Sequence, residues 1–326
     1  MKRNKPWPAL AAAIALLALA ACAGDAPARQ AVARNAVARQ AVARNAAARN
    51  AGEVIVSPTG IALAWIPAGT FVVGSPESEI GRSANEVPQR QATISEGFWM
   101  GVHPVTQAQW QAVMGGNPSH FQGNPAPGEA QERRPVERIS WYDALVFANR
   151  LSIMEGLSPA YSIGGSTNPD DWGDVPTSRN PVWDAVTVVE DSDGYRLPTE
   201  TQWERAARAG TATAFSNGAE DWTNRAALEA IGWFDFNSGG MTREAGTKQA
   251  NPWGLHDIHG NVEEWVWDWL DPPQAQAAPA GEPPAAFRVV RGGSWLDPAQ
   301  FARSAYRVGS APFIRFANLG LRLARP

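Results

Sequence analysis

The use of tryptophan and cysteine constrains this chain more than any other feature: 15 Trp stand against a single Cys in 326 residues. One Cys excludes an intrachain disulfide and every metal site built from several thiolates. With 26 Pro and 30 Gly punctuating short apolar runs, the chain reads as loop-rich, and buried aromatic surface must hold those loops together. Each large aromatic side chain buries on the order of 150–250 Å². The 44% apolar and 18% charged fractions support a sizeable core and exclude wholesale disorder and a collagen-like fibre. A net charge of -4 argues against nucleic acid as a partner.

Lys2, Arg3 and Lys5 precede an apolar run from Ala9 to Ala21, the layout of a secretory signal and too short to span a bilayer comfortably. The run ends at Leu19-Ala20-Ala21-Cys22, which resembles the lipobox of bacterial lipoproteins. That resemblance implies cleavage before Cys22, lipidation of its thiol, and a membrane contact made through the acyl chains. Ala23 after the Cys implies outer-membrane sorting within the cell envelope. No later stretch approaches eighteen consecutive apolar residues.

From Ala28 to Ala51 an Ala-Arg-rich motif repeats in fives and sets Arg29, Arg34, Arg39, Arg44 and Arg49 at equal intervals. Each Arg advances about 140° around a helix, so no face collects the charge. As coil, the segment reaches roughly 30 Å. The organisation expected is a signal over 1–22, a low-complexity tether over 23–58 and a folded domain over 59–326.

Within the domain, Trp65-Ile-Pro-Ala-Gly-Thr-Phe-Val-Val-Gly74 predicts a strand, a turn and a second strand. Helices are expected after Thr106, Ser140 and Thr199, each of which can cap its first turn. Arg196, Glu200, Glu204 and Arg208 are spaced for ion pairing along the third helix. The remaining segments are short runs around aromatics, so the fold class is α+β with irregular loops.

Three segments carry a family resemblance: Gly194-Tyr-Arg-Leu-Pro-Thr-Glu-Thr-Gln-Trp-Glu-Arg-Ala-Ala-Arg-Ala-Gly210, Asn251-Pro-Trp-Gly-Leu-His-Asp-Ile-His-Gly-Asn-Val-Glu-Glu-Trp265 and Arg291-Gly-Gly-Ser-Trp295. They resemble the signatures of the formylglycine-generating enzyme (sulfatase-modifying factor) superfamily. Val105-Thr106, Asn117-Pro118-Ser119 and Pro135-Val136 fit its N-terminal half. The resemblance implies a loop-rich variant of the C-type lectin fold, with short strands and a few helices.

Formylglycine-generating enzymes hold copper on two thiols just after the Arg-Gly-Gly-Ser segment. Asp297 and Ala302 occupy those positions here, and the domain contains no Cys. Neither residue supplies soft-metal affinity, so a copper site of that type and its oxidation are excluded. The four His of the domain, His103, His120, His256 and His259, give no ligand pattern: the family segment commonly reads Gly-Leu-Tyr-Asp-Met-x-Gly-Asn-Val-Trp-Glu-Trp, and its non-ligand positions match His256 and His259. The resemblance instead implies structural Ca²⁺ held by Asp257, the carbonyls of Gly260 and Val262, and Glu264, an oxygen set suited to that ion.

The ending resembles the family frame at Arg303, Ala305, Arg307, Pro312, Gly320 and Arg322. It also resembles the variable proteins of diversity-generating retroelements, which present a diversified patch on this fold. Phe301, Tyr306, Val308, Ser310, Phe313, Ile314, Phe316, Asn318 and Leu319 fill the gaps in the frame, and an aromatic-rich loop surface marks recognition. With Trp295, all of these except Leu319 are the candidate ligand-binding residues. The expectation is a lipid-anchored protein whose C-terminal loops bind a protein or glycan ligand. A Cys-independent oxidoreductase of the same superfamily is the competing class.

Overall fold

The computed structural model describes residues 49–270 and 287–326; the signal, Cys22 and the tether up to residue 48 lie outside them. Two four-stranded sheets organise the described chain. The first takes β1 (Val54–Val56), β2 (Ala62–Ile66), β5 (Phe98–Gly101) and β12 (Ala324–Arg325) in the order β1-β2-β5-β12, all antiparallel. The N-terminal and C-terminal strands therefore share one sheet. The second runs β10-β9-β8-β11, from β10 (Val308–Ser310), β9 (Arg288–Arg291), β8 (Glu263–Trp269) and β11 (Leu319–Leu321), with β11 parallel to β8. Between β2 and β5 in the chain, β3 (Gly69–Val73) pairs with β4 (Arg90–Ile94). A short pair joins β6 (Tyr161–Ser162) to β7 (Thr187–Val188). The two strands expected around Pro67-Ala68-Gly69 both form, but they enter different sheets.

Described residues ahead of position 59 already pack on the first sheet. β1 already pairs with β2, and the Arg49 guanidinium lies 4.8 and 5.0 Å from the ring centres of Trp65 and Trp99. A polar, Ala-rich sequence hides this because the contact is supplied by partners distant in the chain.

The predicted helices form where their caps stand. α1 (Gln107–Met114) and α2 (Trp141–Met154) start at Thr106 and Ser140, with reciprocal bonds from Gln109 and Asp143 completing each capping box. The short α3 (Pro181–Asp184) starts at Asn180. α4 (Glu200–Arg208) is capped by Thr199 and Gln202 and closes on Ala209 in the left-handed region; α5 (Arg225–Ile231) follows Asn224. The ion pairs of α4 are only partly internal. Glu204 bonds Arg208 one turn on, whereas Glu200 bonds Arg307 of the C-terminal loop and Arg196 turns to Gln202.

Tryptophan does what the composition implied, through its ring and its N–H. Trp141, Trp203 and Trp265 are fully buried. The Trp141 indole N–H donates to the Val266 carbonyl at 2.9 Å, and that of Trp265 to the Ile139 carbonyl at 3.0 Å, so two rings cross-link segments more than a hundred residues apart. Buried arginines satisfy loop carbonyls that have no ladder. Arg322 donates to the carbonyls of Gly101 and His256, and Arg291 to those of Ser304 and Ala305. A buried backbone acceptor left unpaired costs free energy, so these guanidiniums substitute for regular structure.

Candidate functional site

The C-terminal loop between Ser294 and Asn318 is held from several directions. Trp295 donates from its backbone N–H to the Asn261 carbonyl and from its indole N–H to the Ala317 carbonyl at 3.1 Å, and Phe121 meets its ring edge-on at 5.1 Å. Phe301 and Tyr306 pack on each other at 5.0 Å. Val308 and Ser310 lie in β10, paired with β9, so this part of the expected surface loop is a strand. The Trp141 backbone N–H donates to the Pro312 carbonyl, and Phe313 packs partly on the main core. Arg315 forms a two-bond pair with Asp143 at the start of α2, at 2.6 and 3.0 Å.

Burial separates two sets of residues along this loop. Arg303, Ala305, Pro312, Gly320 and Arg322 are buried, whereas Trp295, Phe301, Tyr306, Val308, Ser310, Phe313, Ile314 and Asn318 are partly accessible and Phe316 is exposed. Arg307 is the frame residue that stays partly accessible, paired with Glu200. Leu319, expected among the accessible residues, is instead fully buried in β11, because its strand register places it against the core. A cleft of about 340 Å³ adjoins the loop at Arg315 and is lined by Trp110, Met114, Asn117 and Asp143 among others.

At the two positions where the family carries thiols, Ala302 is buried and Asp297 is partly accessible. The Ser294 hydroxyl donates to the Asp297 carboxylate. Asn318 donates from its amide to Ser294 Oγ at 3.3 Å and to Glu263 Oε2 at 3.2 Å. The chain Asp297–Ser294–Asn318–Glu263 thus joins two carboxyls. Burial, with the Asp297 charge adding to it, pushes Glu263 up to about 8; burial also raises Asp297. From the sequence, Glu263 stands out only as an acid near His256 and His259, with no role of its own. The signal was available, since the usual family segment reads Val-Trp-Glu-Trp where this chain has Val262-Glu263-Glu264-Trp265. Phe121 carried no signal at all, because its role depends on the loop that Trp295 closes.

Of the residues expected to hold Ca²⁺, Asp257, Gly260 and Val262 lie between α5 and β8 and Glu264 lies in β8. Asp257 is buried with φ 53°, and its Oδ2 accepts from the Gly246 N–H at 2.7 Å while Oδ1 is buried without a hydrogen-bond partner. Burial raises its carboxyl. Gly260 has φ 105°, and a Cβ there would stand 2.4 Å from the Trp233 carbonyl oxygen. Val262 is buried. Glu264 is already engaged, accepting from Arg322 at 2.7–3.1 Å and from the Trp203 indole N–H at 2.7 Å. Among the described residues no three His, Cys, Asp or Glu side chains converge as a metal cluster, so this set depends on backbone oxygens. The histidines have other partners: His259 bonds the Ala302 carbonyl and Ser216, His256 bonds the Lys248 carbonyl, and burial pushes His103 and His259 down to about 4.

Comparison with known proteins places this geometry. The model of the sulfatase-modifying factor enzyme 1-like domain matches residues 54–326. The chain is 34% identical over 238 residues to the chaperone protein LppX of Paenibacillus barcinonensis, covering 69% of this chain and 78% of that protein. It is 27% identical over 304 residues to the formylglycine-generating enzyme of Thermomonospora curvata, covering 82% and 95%. Among solved structures it superposes on Treponema denticola variable protein 1 with a TM-score of 0.70 at 36% identity, over 84% of this chain and 99% of that one. The chain belongs to the sulfatase-modifying factor enzyme 1-like domain family.

Proposed function

We propose that this protein is a lipid-anchored envelope receptor whose C-terminal loop face binds a protein or glycan ligand and performs no oxidation. The observation that carries the reading is the division of the loop into a buried frame and an accessible set. Arg303, Ala305, Pro312, Gly320 and Arg322 spend their side chains and backbone on the scaffold, while the residues between them reach solvent. Substitution at the accessible positions other than Val308 and Phe313, which pack partly on the main core, changes the surface and leaves the core packing in place. The likeness to a variable protein fits such a division, and a relative that bears a chaperone's name fits a protein ligand. Asp297 and Ala302 in place of two thiols leave no soft-metal ligand for the family's oxidation.

The anchor in this reading is the lipid on Cys22, which holds the protein at the outer membrane; no helix among the described residues is long and apolar enough to cross a bilayer. Asp257, Gly260, Val262 and Glu264 bind Ca²⁺. The unpartnered, buried Oδ1 of Asp257 is the atom that supports this assignment. The ion supplies positive charge to a buried carboxylate and ties the turn before β8.

A panel of proteins and glycans displayed on an array tests the reading. A ligand captured by the wild-type protein and lost in Tyr306→Ala and Phe316→Ala supports it. Iron or copper co-purifying at one ion per chain, together with a product lost on deleting the gene, overturns it in favour of an oxidoreductase. A partial template repeat and a reverse transcriptase gene beside this one would establish that the accessible set is diversified.

A further inference from the structure

The cleft beside Arg315 is walled by segments distant in the chain. Trp110 and Met114 of α1 and the Gly116-Asn117-Pro118 turn after it form one side, and Arg315 of the C-terminal loop with Asp143 of α2 forms the other. At about 340 Å³ it lies at the small end of ligand-binding cavities, about 300–1,000 Å³, and holds one large side chain with its flanking backbone. The turn is fixed before any ligand arrives. Buried Glu137 accepts the N–H groups of His120 and Phe121 at 3.0 and 2.9 Å. Buried Gln107 donates to the Phe121 carbonyl at 3.0 Å and accepts from the Asn117 amide at 2.8 Å. Trp110 stacks on Phe147 at 4.8 Å, which anchors that wall in the main core. The same segment carries Phe121, whose ring meets Trp295, so it touches the accessible loop face at Trp295 as well as at Arg315.

The polar side chains that line the cleft are spent on the scaffold. Asp143 Oδ2 accepts from the Ser140 N–H and hydroxyl and from Arg315 Nε, and its Oδ1 accepts from Arg315 Nη2. Asn117 donates to Gln107 and accepts from the Ser119 N–H. A charged ligand group would lose its water here and meet a guanidinium already neutralised, and sugar hydroxyls would find few free partners. Trp110 is 3% exposed, so it offers no open ring face on which a sugar could stack. An apolar side chain meets none of these costs. Trp110, Met114 and Pro118 give it carbon and sulfur surface, and the unbranched Met114 adapts to its shape. We infer that this cleft takes one large, uncharged apolar side chain of a protein ligand held on the C-terminal loop face. This deepens the proposed function and rests on it, and it selects a protein over a glycan. The Arg315 guanidinium has N–H groups beyond those that reach Asp143 and Phe313, and they are the donors for a backbone carbonyl of the ligand.

The test titrates the detergent-solubilised full-length protein, labelled at its methionine methyl groups, with Nα-acetyl-phenylalanine amide, Nα-acetyl-glutamate amide and methyl glucoside. NMR follows the Met114 methyl signal, assigned by its loss in Met114→Leu. The phenylalanine probe should move that signal through its ring current and bind at least about tenfold more tightly than the other two. Gly116→Phe fills the cleft from its own wall. A Cβ at Gly116 meets nothing within 4 Å, so the backbone accepts the side chain, and the phenylalanine probe should weaken by at least about tenfold. Gly123→Phe, exposed on the same segment and outside the cleft lining, leaves the affinity unchanged. Equal affinity for the three probes, a Met114 signal that none of them moves, or wild-type affinity in Gly116→Phe overturns the cleft assignment. The array distinguishes this inference from the reading beneath it. A captured protein lost in both Phe316→Ala and Gly116→Phe supports it. One lost in Phe316→Ala and retained in Gly116→Phe sinks it and leaves the receptor standing, whereas one lost in neither sinks both. A captured glycan lost in Gly116→Phe also overturns it.

Discussion

Replacing Glu263 by Gln should stabilise the ligand-free protein, and the gain should depend on pH. In the unfolded chain a Glu releases its proton near the ordinary value of 4.5, whereas in the folded protein Glu263 keeps it up to about 8. Between those values the folded state holds more protons, so stability falls as pH rises from about 4.5 and levels off above about 8. At about 1.36 kcal/mol per pH unit the full separation corresponds to about 4.8 kcal/mol. The side chain remains partly accessible, and solvent screens part of that cost, so about 2 kcal/mol is the working expectation. Gln keeps an oxygen that accepts from Asn318 and carries no charge, so the substitution removes the penalty and preserves the bridge. Urea unfolding of wild type and variant should give nearly coincident curves at pH 4 and a higher midpoint for the variant at pH 9. Curves separated equally at both pH values, or a variant less stable at pH 9, would refute the unpaired-acid reading.

Three further outcomes follow from the buried charges and the anchor. Arg303→Met leaves Glu79 and Glu86 buried without their cation and should cost about 3–5 kcal/mol, read as a lowered urea midpoint; a loss under about 1 kcal/mol would mean the two acids take up protons at little cost. Asp257→Asn should abolish any rise in melting temperature produced by added Ca²⁺; Glu264→Ala should do so too while also stranding Arg322, and a melting curve unchanged by chelator in wild type would refute the calcium site. Cys22→Ser should move the protein from the membrane to the soluble fraction, and continued membrane association through a detergent-free wash would refute the lipid anchor.

How much of this was legible in the sequence differs with the range of the interaction. The three helices stood at their capping residues because a cap acts within one turn, so Thr106, Ser140 and Thr199 carry the whole signal themselves. The strands around Pro67-Ala68-Gly69 were visible as β-rich runs, but their separate sheets were not, since pairing depends on β1, β4 and β5 elsewhere in the chain. In the C-terminal loop the residues between the frame positions reach solvent, whereas Leu319 is buried because the parallel register with β8 decides which way its side chain faces.

The excess of tryptophan over cysteine pointed by itself to a loop-rich domain held by aromatic burial, and the sequence alone places Asp297 and Ala302 where the family resemblance expects two thiols. Both are statements about which atoms are present, and a sequence contains them completely. Only the tertiary structure decided which carboxylates find a guanidinium. Arg303 reaches Glu79 and Glu86 across more than two hundred residues, and Arg322, just after β11, reaches Glu264 on the neighbouring strand β8, while Asn318 and Ser294 link Glu263 to Asp297. Charge pairing is a matter of distance in space, and at these separations along the chain nothing but the folded packing determines it.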